Sequence, residues 1–446
     1  MSATHHADEA MLDSLQRAAF DYFLQHTNPH NGLVADTTRA GSPSSIAVVG
    51  FALSAYPVAV ERGWIERDLA VQRCLAALRF FWTSDQSGHS DATGHRGFYF
   101  HFLDMQSGAR MWQSELSLID TAFLLAGMLT AAAYFKDENK AEVELRELAD
   151  ALYRRVDWRW AQRDGSCLVH GWKPECGFLN YGWEGYSEAI LLYVLGLGSP
   201  THPLTEESFE AWTVTYQWEN LYGHEFLYAG PLFIHQFSHA WIDFRGIRDR
   251  FMREKRCDYF ENSRRAAYVQ RDYAIRNPHG FTGYAQDCWG LSACDGPSSQ
   301  PQRVAGRRQA FYGYAARGAP FGPDDGTIAG SAPLATLVFA PEIALPAVRQ
   351  LYAQAIGGGN GSGFGQGSVQ GVSRGSGEFL RASGFNATVE EGGRDGWLSE
   401  GEFGLDQGLI VLMIENYRSG LLWRLSRGCS YLQTGLRRAG FRGGWL

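Results

Sequence analysis

The chain has 446 residues, 45% of them hydrophobic, so a sizeable core is available and global disorder is excluded. Its net charge is −8 with both signs spread along the chain, which argues against nucleic acid or an anionic membrane surface as partner, since both select a clustered basic footprint. Seven cysteines, an odd number with no CxxC, indicate neither a disulfide framework nor a zinc ribbon, although one bond such as Cys288–Cys294 fits the spacing.

The first residues pass directly into an amphipathic pattern with no leader, so the chain as given reads as cytoplasmic; a periplasmic location follows if a leader has been removed. Residues 1–11 read as an N-terminal tail, and apolar spacing predicts a helix over Leu12 to Phe23. Ile46 to Trp64 and Leu69 to Trp82 continue the series. Leu116 to Phe135 is apolar on every side with Asp120 as its only charge. It is long enough to span a membrane, but Ser117, Thr121 and Thr130 interrupt it, which favours a buried inner helix. Ala141 to Val156 is charged on one face, like an outer partner. Glu184 to Leu197, Glu206 to Glu219, Pro231 to Ala240, Ile247 to Tyr273, Ala332 to Phe339, Pro341 to Tyr352 and Leu405 to Leu422 complete the predicted helices. Alternation of apolar and amphipathic helices fits inner and outer layers, either as a closed ring or as a solenoid. One domain over residues 12–425 is expected. Within it the stretch 357–377 is a Gly-rich surface insertion, and 426–446 reads as a loosely held tail.

Aromatic residues make up 14% of the chain, and many Trp and Tyr lie in polar, Gly-rich stretches such as Tyr181-Gly182-Trp183. Flat apolar faces with a polar edge suit sugar rings. Cleavage of a glycosidic bond needs two carboxyl groups, one to protonate the leaving oxygen and one to activate water or attack. Acids set among apolar or aromatic neighbours are therefore the candidates. Glu188 shares a predicted helix face with Leu191 and Leu192, with Glu184 one turn earlier; both could instead be acids answering the helix dipole. Asp120 is the lone charge of its helix, with Glu115 five residues earlier, and a buried structural acid is the other reading. Asp406 opens the last long helix, where it could equally be an N-cap. Asp287 lies in a loop between aromatics, as a substrate contact. His235 and His239 have the spacing of a zinc pair, but Gln236 stands where a zinc peptidase needs Glu, so packing or hydrogen bonding is the better account and no metal is expected. Phosphate-loop, nucleophile-elbow and dinucleotide motifs are absent.

Six segments then resemble one family: Glu115 to Met128 (ELSLIDTAFLLAGM), Tyr186 to Pro203 (YSEAILLYVLGLGSPTHP), His235 to Arg245 (HQFSHAWIDFR), Phe260 to Ala266 (FENSRRA), Trp289 to Pro297 (WGLSACDGP) and Asp406 to Tyr417 (DQGLIVLMIENY). In order, from about residue 12 to 425, they resemble the glucoamylase-like glycoside hydrolases, a grouping that includes the endo-β-1,2-glucanases of glycoside hydrolase family 144. The resemblance implies an all-α (α/α)6 barrel and inverting hydrolysis of β-1,2-glucan with no metal or other cofactor. Glu188 falls on the acid of the family's Glu-Ala segment, Asp120 on that of its Ile-Asp-Thr-Ala segment, and Asp406 on its Asp-Gln-Gly acid. The Gly-rich insertion and the missing leader depart from the family pattern. Glu188 is expected as general acid, its pKa raised by the aromatic wall and Glu184, with Asp406 or Asp120 activating water. Trp183, Tyr186, Trp241 and Trp289 are expected to stack glucosyl units, with Glu115, Glu184, His239 and Asp287 as further substrate contacts. The partner is an oligo- or polysaccharide, with no nucleic acid or membrane and a monomeric state. A non-catalytic carbohydrate-binding protein, or exo-acting or other-linkage hydrolysis, is the alternative.

Overall fold

Ile46–Glu61 and Leu118–Tyr134 are apolar around their whole circumference, so each is stable only when covered on all sides. A computed structural model of the chain describes residues 3–163, 165–304, 306–356, 377–391 and 394–446, and both helices are buried along most of their length. The Gly-rich insertion expected at 357–377 lies, but for Gly377, outside the described residues. Helix predominates among the described residues and the strands are short, the longest being the seven residues Phe385–Glu391. No described helix is long and apolar enough to cross a membrane.

The chain divides into two compact units. One comprises Phe20–Gln217, Phe237–Phe260 and Arg418–Leu446, and the other comprises Met1–Ala19, Trp218–Gln236 and Glu261–Tyr417. In the first, Ile46–Glu61 and Leu118–Tyr134 cross where both carry glycine. A Cβ on Gly50 would stand 2.2 Å from the Phe123 carbonyl oxygen, and one on Gly127 would stand 2.1 Å from that of Gly50. The backbones touch, so the side chains beside them interdigitate. Gly50→Ala is expected to lower the unfolding free energy by roughly 3 kcal/mol. Urea unfolding measures this, and an unchanged midpoint would show that the helices part freely. Arg67–Thr83 and Lys140–Arg155 pack outside this pair, joined by bidentate Arg67–Glu142 and Arg79–Glu144 ion pairs. A five-stranded antiparallel sheet runs in chain order through Gly94–His95, Phe98–Phe100, Leu116–Ser117, Gly171–Lys173 and Gly177–Phe178.

The second unit holds most of Tyr259–Arg276, with Pro341–Ile356 and most of Gly404–Arg418, and a three-stranded sheet of Thr327–Ile328, Phe385–Glu391 and Arg394–Leu398. The fully buried Arg317 anchors its loops with a bidentate pair to Asp325 and bonds to the carbonyls of Cys294 and Tyr312.

Several predicted helices are shorter or divided. The helix expected from Glu184 begins only at Ile190, because Gly185 at φ +80° breaks the preceding turn. The one expected over Ile247 to Tyr273 is split into Arg250–Glu254 and Tyr259–Arg276, with Arg256 in the left-handed region between them. Gly420, also left-handed, separates Gly404–Arg418 from Leu421–Arg427. Pro231 to Ala240 is two 3-10 turns, and Glu206 to Glu219 is helical only over Glu207–Thr213. Both expected tails are corrected as well. The N-terminal helix starts at Ala3 and pairs Asp8 with Arg349. The last residues form the helix Ser430–Arg438, which buries Leu432 and Leu436 and brings Gly435 against the Val194 carbonyl.

Candidate active site

The two glycine-joined helices begin at the same place. His101, just past the strand Phe98–Phe100, donates its backbone N–H to the Glu115 carbonyl and accepts from Ile46, the first residue of its helix. Leu116–Ser117 pairs with Phe98–Phe100 on one side and with Gly171–Lys173 on the other, and leads directly into the helix Leu118–Tyr134. The helix start therefore carries Asp120, whose carboxylate accepts from the Ser117 hydroxyl. The imidazole of His101 lies between two acids: Nδ1 is 3.0 Å from Glu115 Oε1 and Nε2 is 3.5 Å from Asp120 Oδ2.

Burial opposes a charge on His101, but Asp120, Glu115 and Asp36 outweigh it and push its pKa up to about 9. At neutral pH it is a histidinium holding two carboxylates. Burial likewise opposes ionisation of Glu115, yet the His101 bond and charge hold it below the usual range. Asp36 is pushed up to about 6, by burial first and with a further contribution from the Asp120 charge. The ligand atoms of His101, Glu115 and Asp120 all lie within 4.8 Å of one another, so the trio could also hold a cation. Both ring nitrogens face carboxylates, however, which suits protons shared across the trio rather than a lone pair offered to a metal.

Glu188 sits in the turn ahead of the helix Ile190–Gly198. Ser238 fixes this turn from outside: its hydroxyl donates to the Glu188 carbonyl at 2.8 Å and accepts from the Leu191 N–H at 3.2 Å. Glu188 keeps some exposed surface yet is set deep among protein atoms. Burial, with the Asp120 charge added, pushes its pKa up to about 7. Glu184 is exposed and takes no part in that shift, because the turn before Ile190 is not helical. Trp183 is half-buried and stacks on His170 at 4.1 Å.

Asp36, His101, Glu115, Asp120 and Glu188 thus share one unit and one electrostatic cluster. Two of the five, Asp36 and His101, were missed by sequence reasoning. Three expected contacts are corrected. Trp241 is fully buried between Phe51 and Phe123 and bonds Ser54, so it cannot stack a sugar. Trp289 is 1% exposed, and His239 packs edge-on against Phe244 inside the core. Tyr186 is half-buried, with its ring against Tyr259 and Tyr216. His235 bonds the Ala229 carbonyl, and burial pushes its pKa down to about 4. Asp406, in the first turn of Gly404–Arg418, accepts from Ser331 at 2.8 Å and belongs to the other unit, as does the half-buried Asp287.

The Glycoamylase family model, described as "Putative glucoamylase", matches residues 180–430, more than half of the chain. Over 97% of its length the chain is 28% identical to the exo β-1,2-glucooligosaccharide sophorohydrolase (non-reducing end) of Parabacteroides distasonis, and it spans 58% of that protein's length. Its structure matches the endo-β-1,2-glucanase of Chitinophaga pinensis in complex with sophorotriose and glucose, with TM-score 0.82, 26% identity, and 98% and 99% of the two chains covered. A "putative glucoamylase" from Bacteroides uniformis matches with TM-score 0.82 and 28% identity over 98% of both chains. The fold class implied by the motifs is the one shared with these proteins. The chain belongs to the glucoamylase-like Glycoamylase family.

Proposed function

We propose that the chain hydrolyses β-1,2-glucan with inversion, Glu188 serving as general acid and Asp120 as general base. The observation that carries this reading is the pairing of a Glu188 carboxyl pushed up to about 7 with the Asp120 carboxylate that helps to push it. A carboxyl half-protonated at neutral pH can give a proton to the glycosidic oxygen as the bond breaks. Asp120, oriented by Ser117 and His101, takes a proton from the water that attacks the anomeric carbon from the opposite side. Trp183, backed by His170, is assigned to stack a glucosyl ring. The linkage rests on the relatives, which act on β-1,2-linked glucose.

Chromatography of products from linear β-1,2-glucan, beside β-1,3- and β-1,4-glucans, tests the reading. A ladder of oligosaccharides from the β-1,2 polymer alone is expected for endo action. Release of sophorose alone would give the exo action of the Parabacteroides relative, and an unchanged polymer would leave a binding protein. Asp406→Asn, assayed beside Asp120→Asn, decides between the two acids expected as base.

His101 gives a pH prediction. The histidinium favours the ionised form of Glu115 beside it, so, where Glu115 must be ionised for activity, His101→Gln is expected to move the acidic limb of kcat/KM to higher pH. The basic limb, set by Glu188, stays near 7 because His101 is not a cause of its shift. Unmoved limbs in His101→Gln, or activity lost to a chelator, would replace the histidinium with a bound cation.

A further inference from the structure

One aromatic that meets solvent beside the carboxylate cluster was not marked by the motifs. Trp112 is 64% exposed, and its ring packs on Phe102 at 5.1 Å. Phe102 in turn stacks on the His101 imidazole at 3.9 Å, with the planes 12° apart. The same imidazole bonds Glu115 and faces Asp120. An unbroken line of rings therefore leads from solvent to the two acids.

The turn that presents Trp112 is both strained and built. Trp112 and Gln113 have φ of +56° and +50°, a left-handed pair that residues with a Cβ adopt at a steric cost. Buried Arg110 holds the turn by donating from Nε to the Ser114 carbonyl at 2.6 Å and gripping Glu175 with its two terminal guanidinium nitrogens. Met111 and Ser114 each tie it to the backbone of Phe102. A glycine would relax the backbone and a polar residue would suit the exposure, yet the tip carries an indole. Strain retained at an exposed aromatic tip beside a reactive cluster points to a ligand contact rather than to a folding role.

We propose that Trp112 is a stacking platform for one glucosyl residue of the substrate, forming a subsite beside Glu115 and Asp120. The indole face covers the CH face of the ring, and its exposed edge leaves the hydroxyls to water. This inference rests on the carbohydrate reading of the neighbouring acids, but not on the β-1,2 linkage.

Calorimetric binding of linear β-1,2-, β-1,3- and β-1,4-glucan to the full chain in a Glu188→Gln background tests it without turnover. Trp112→Ala is expected to weaken binding about tenfold or more, and Trp112→Phe only about threefold. Trp112→Gly separates binding from folding: the thermal midpoint holds or rises as the left-handed strain is relieved, while glucan binding weakens as much as in Trp112→Ala. Unchanged affinity in Trp112→Ala, or a change in self-association with glucan binding intact, overturns the subsite. If the parent binds only β-1,3- or β-1,4-glucan, the linkage reading fails while the Trp112 comparison still stands on that glucan. Binding to none of the three overturns both.

Discussion

Glu188→Gln lowers kcat on linear β-1,2-glucan by about 10²–10⁴-fold, the range associated with a positioned general acid, and leaves KM nearly unchanged. Gln keeps the size of the side chain, and the turn that holds it is secured through the backbone: Ser238 bonds the Glu188 carbonyl and the Leu191 N–H, neither of which the substitution touches. What is lost is the proton. A substrate that departs without protonation separates this loss from a misfolded site. An aryl β-sophoroside with a nitrated leaving group recovers most of its rate in Glu188→Gln, whereas the polysaccharide does not. Equal loss on both substrates would remove Glu188 from the acid role, and full polysaccharide activity would remove it from catalysis.

Glu188, Asp120 and Glu115 were legible in the sequence because each is an acid in or beside an apolar run, where a charge has no reason to be unless it is used or paired. His101 and Asp36 were not legible. Each is a single polar residue in a short extended segment, and their meeting depends on how Phe98–Phe100 and Leu116–Ser117 pair and on where Ile46 begins its helix. The aromatics were misread for a related reason. Composition shows that indoles are plentiful, but only the packing shows that Trp241 is sealed between Phe51 and Phe123 while Trp112 is thrown into solvent. The helices Ile46–Glu61 and Leu118–Tyr134, and the burial of the second, followed from hydrophobic pattern alone. Breaks at Gly185, Arg256 and Gly420 did not, since a left-handed residue inside a periodic stretch leaves the hydrophobic spacing intact.

Asp120→Asn carries the second large effect, a fall in kcat of about 10²–10⁴-fold through loss of the base. The change is nearly isosteric, and Asn can still accept from the Ser117 hydroxyl, so the helix start is preserved. Two electrostatic readouts accompany the rate and have fixed signs. The Asp120 charge raises the Glu188 pKa, so removing it moves the basic limb of the residual activity below about 7. The same charge is the largest influence raising His101, so the imidazole, followed by NMR of labelled histidine, titrates below about 9 in the variant. This second measurement needs no turnover. The histidinium also stabilises the fold at low pH: its contribution is complete below the ordinary histidine range and is lost as pH rises through about 9. Asp120→Asn therefore weakens the chain more at pH 6 than at pH 10. A variant that keeps the parent kcat, with Glu188 and His101 titrating as before, would mean that Asp120 neither activates water nor sets the charge of the site, and the base would have to be sought in Asp406.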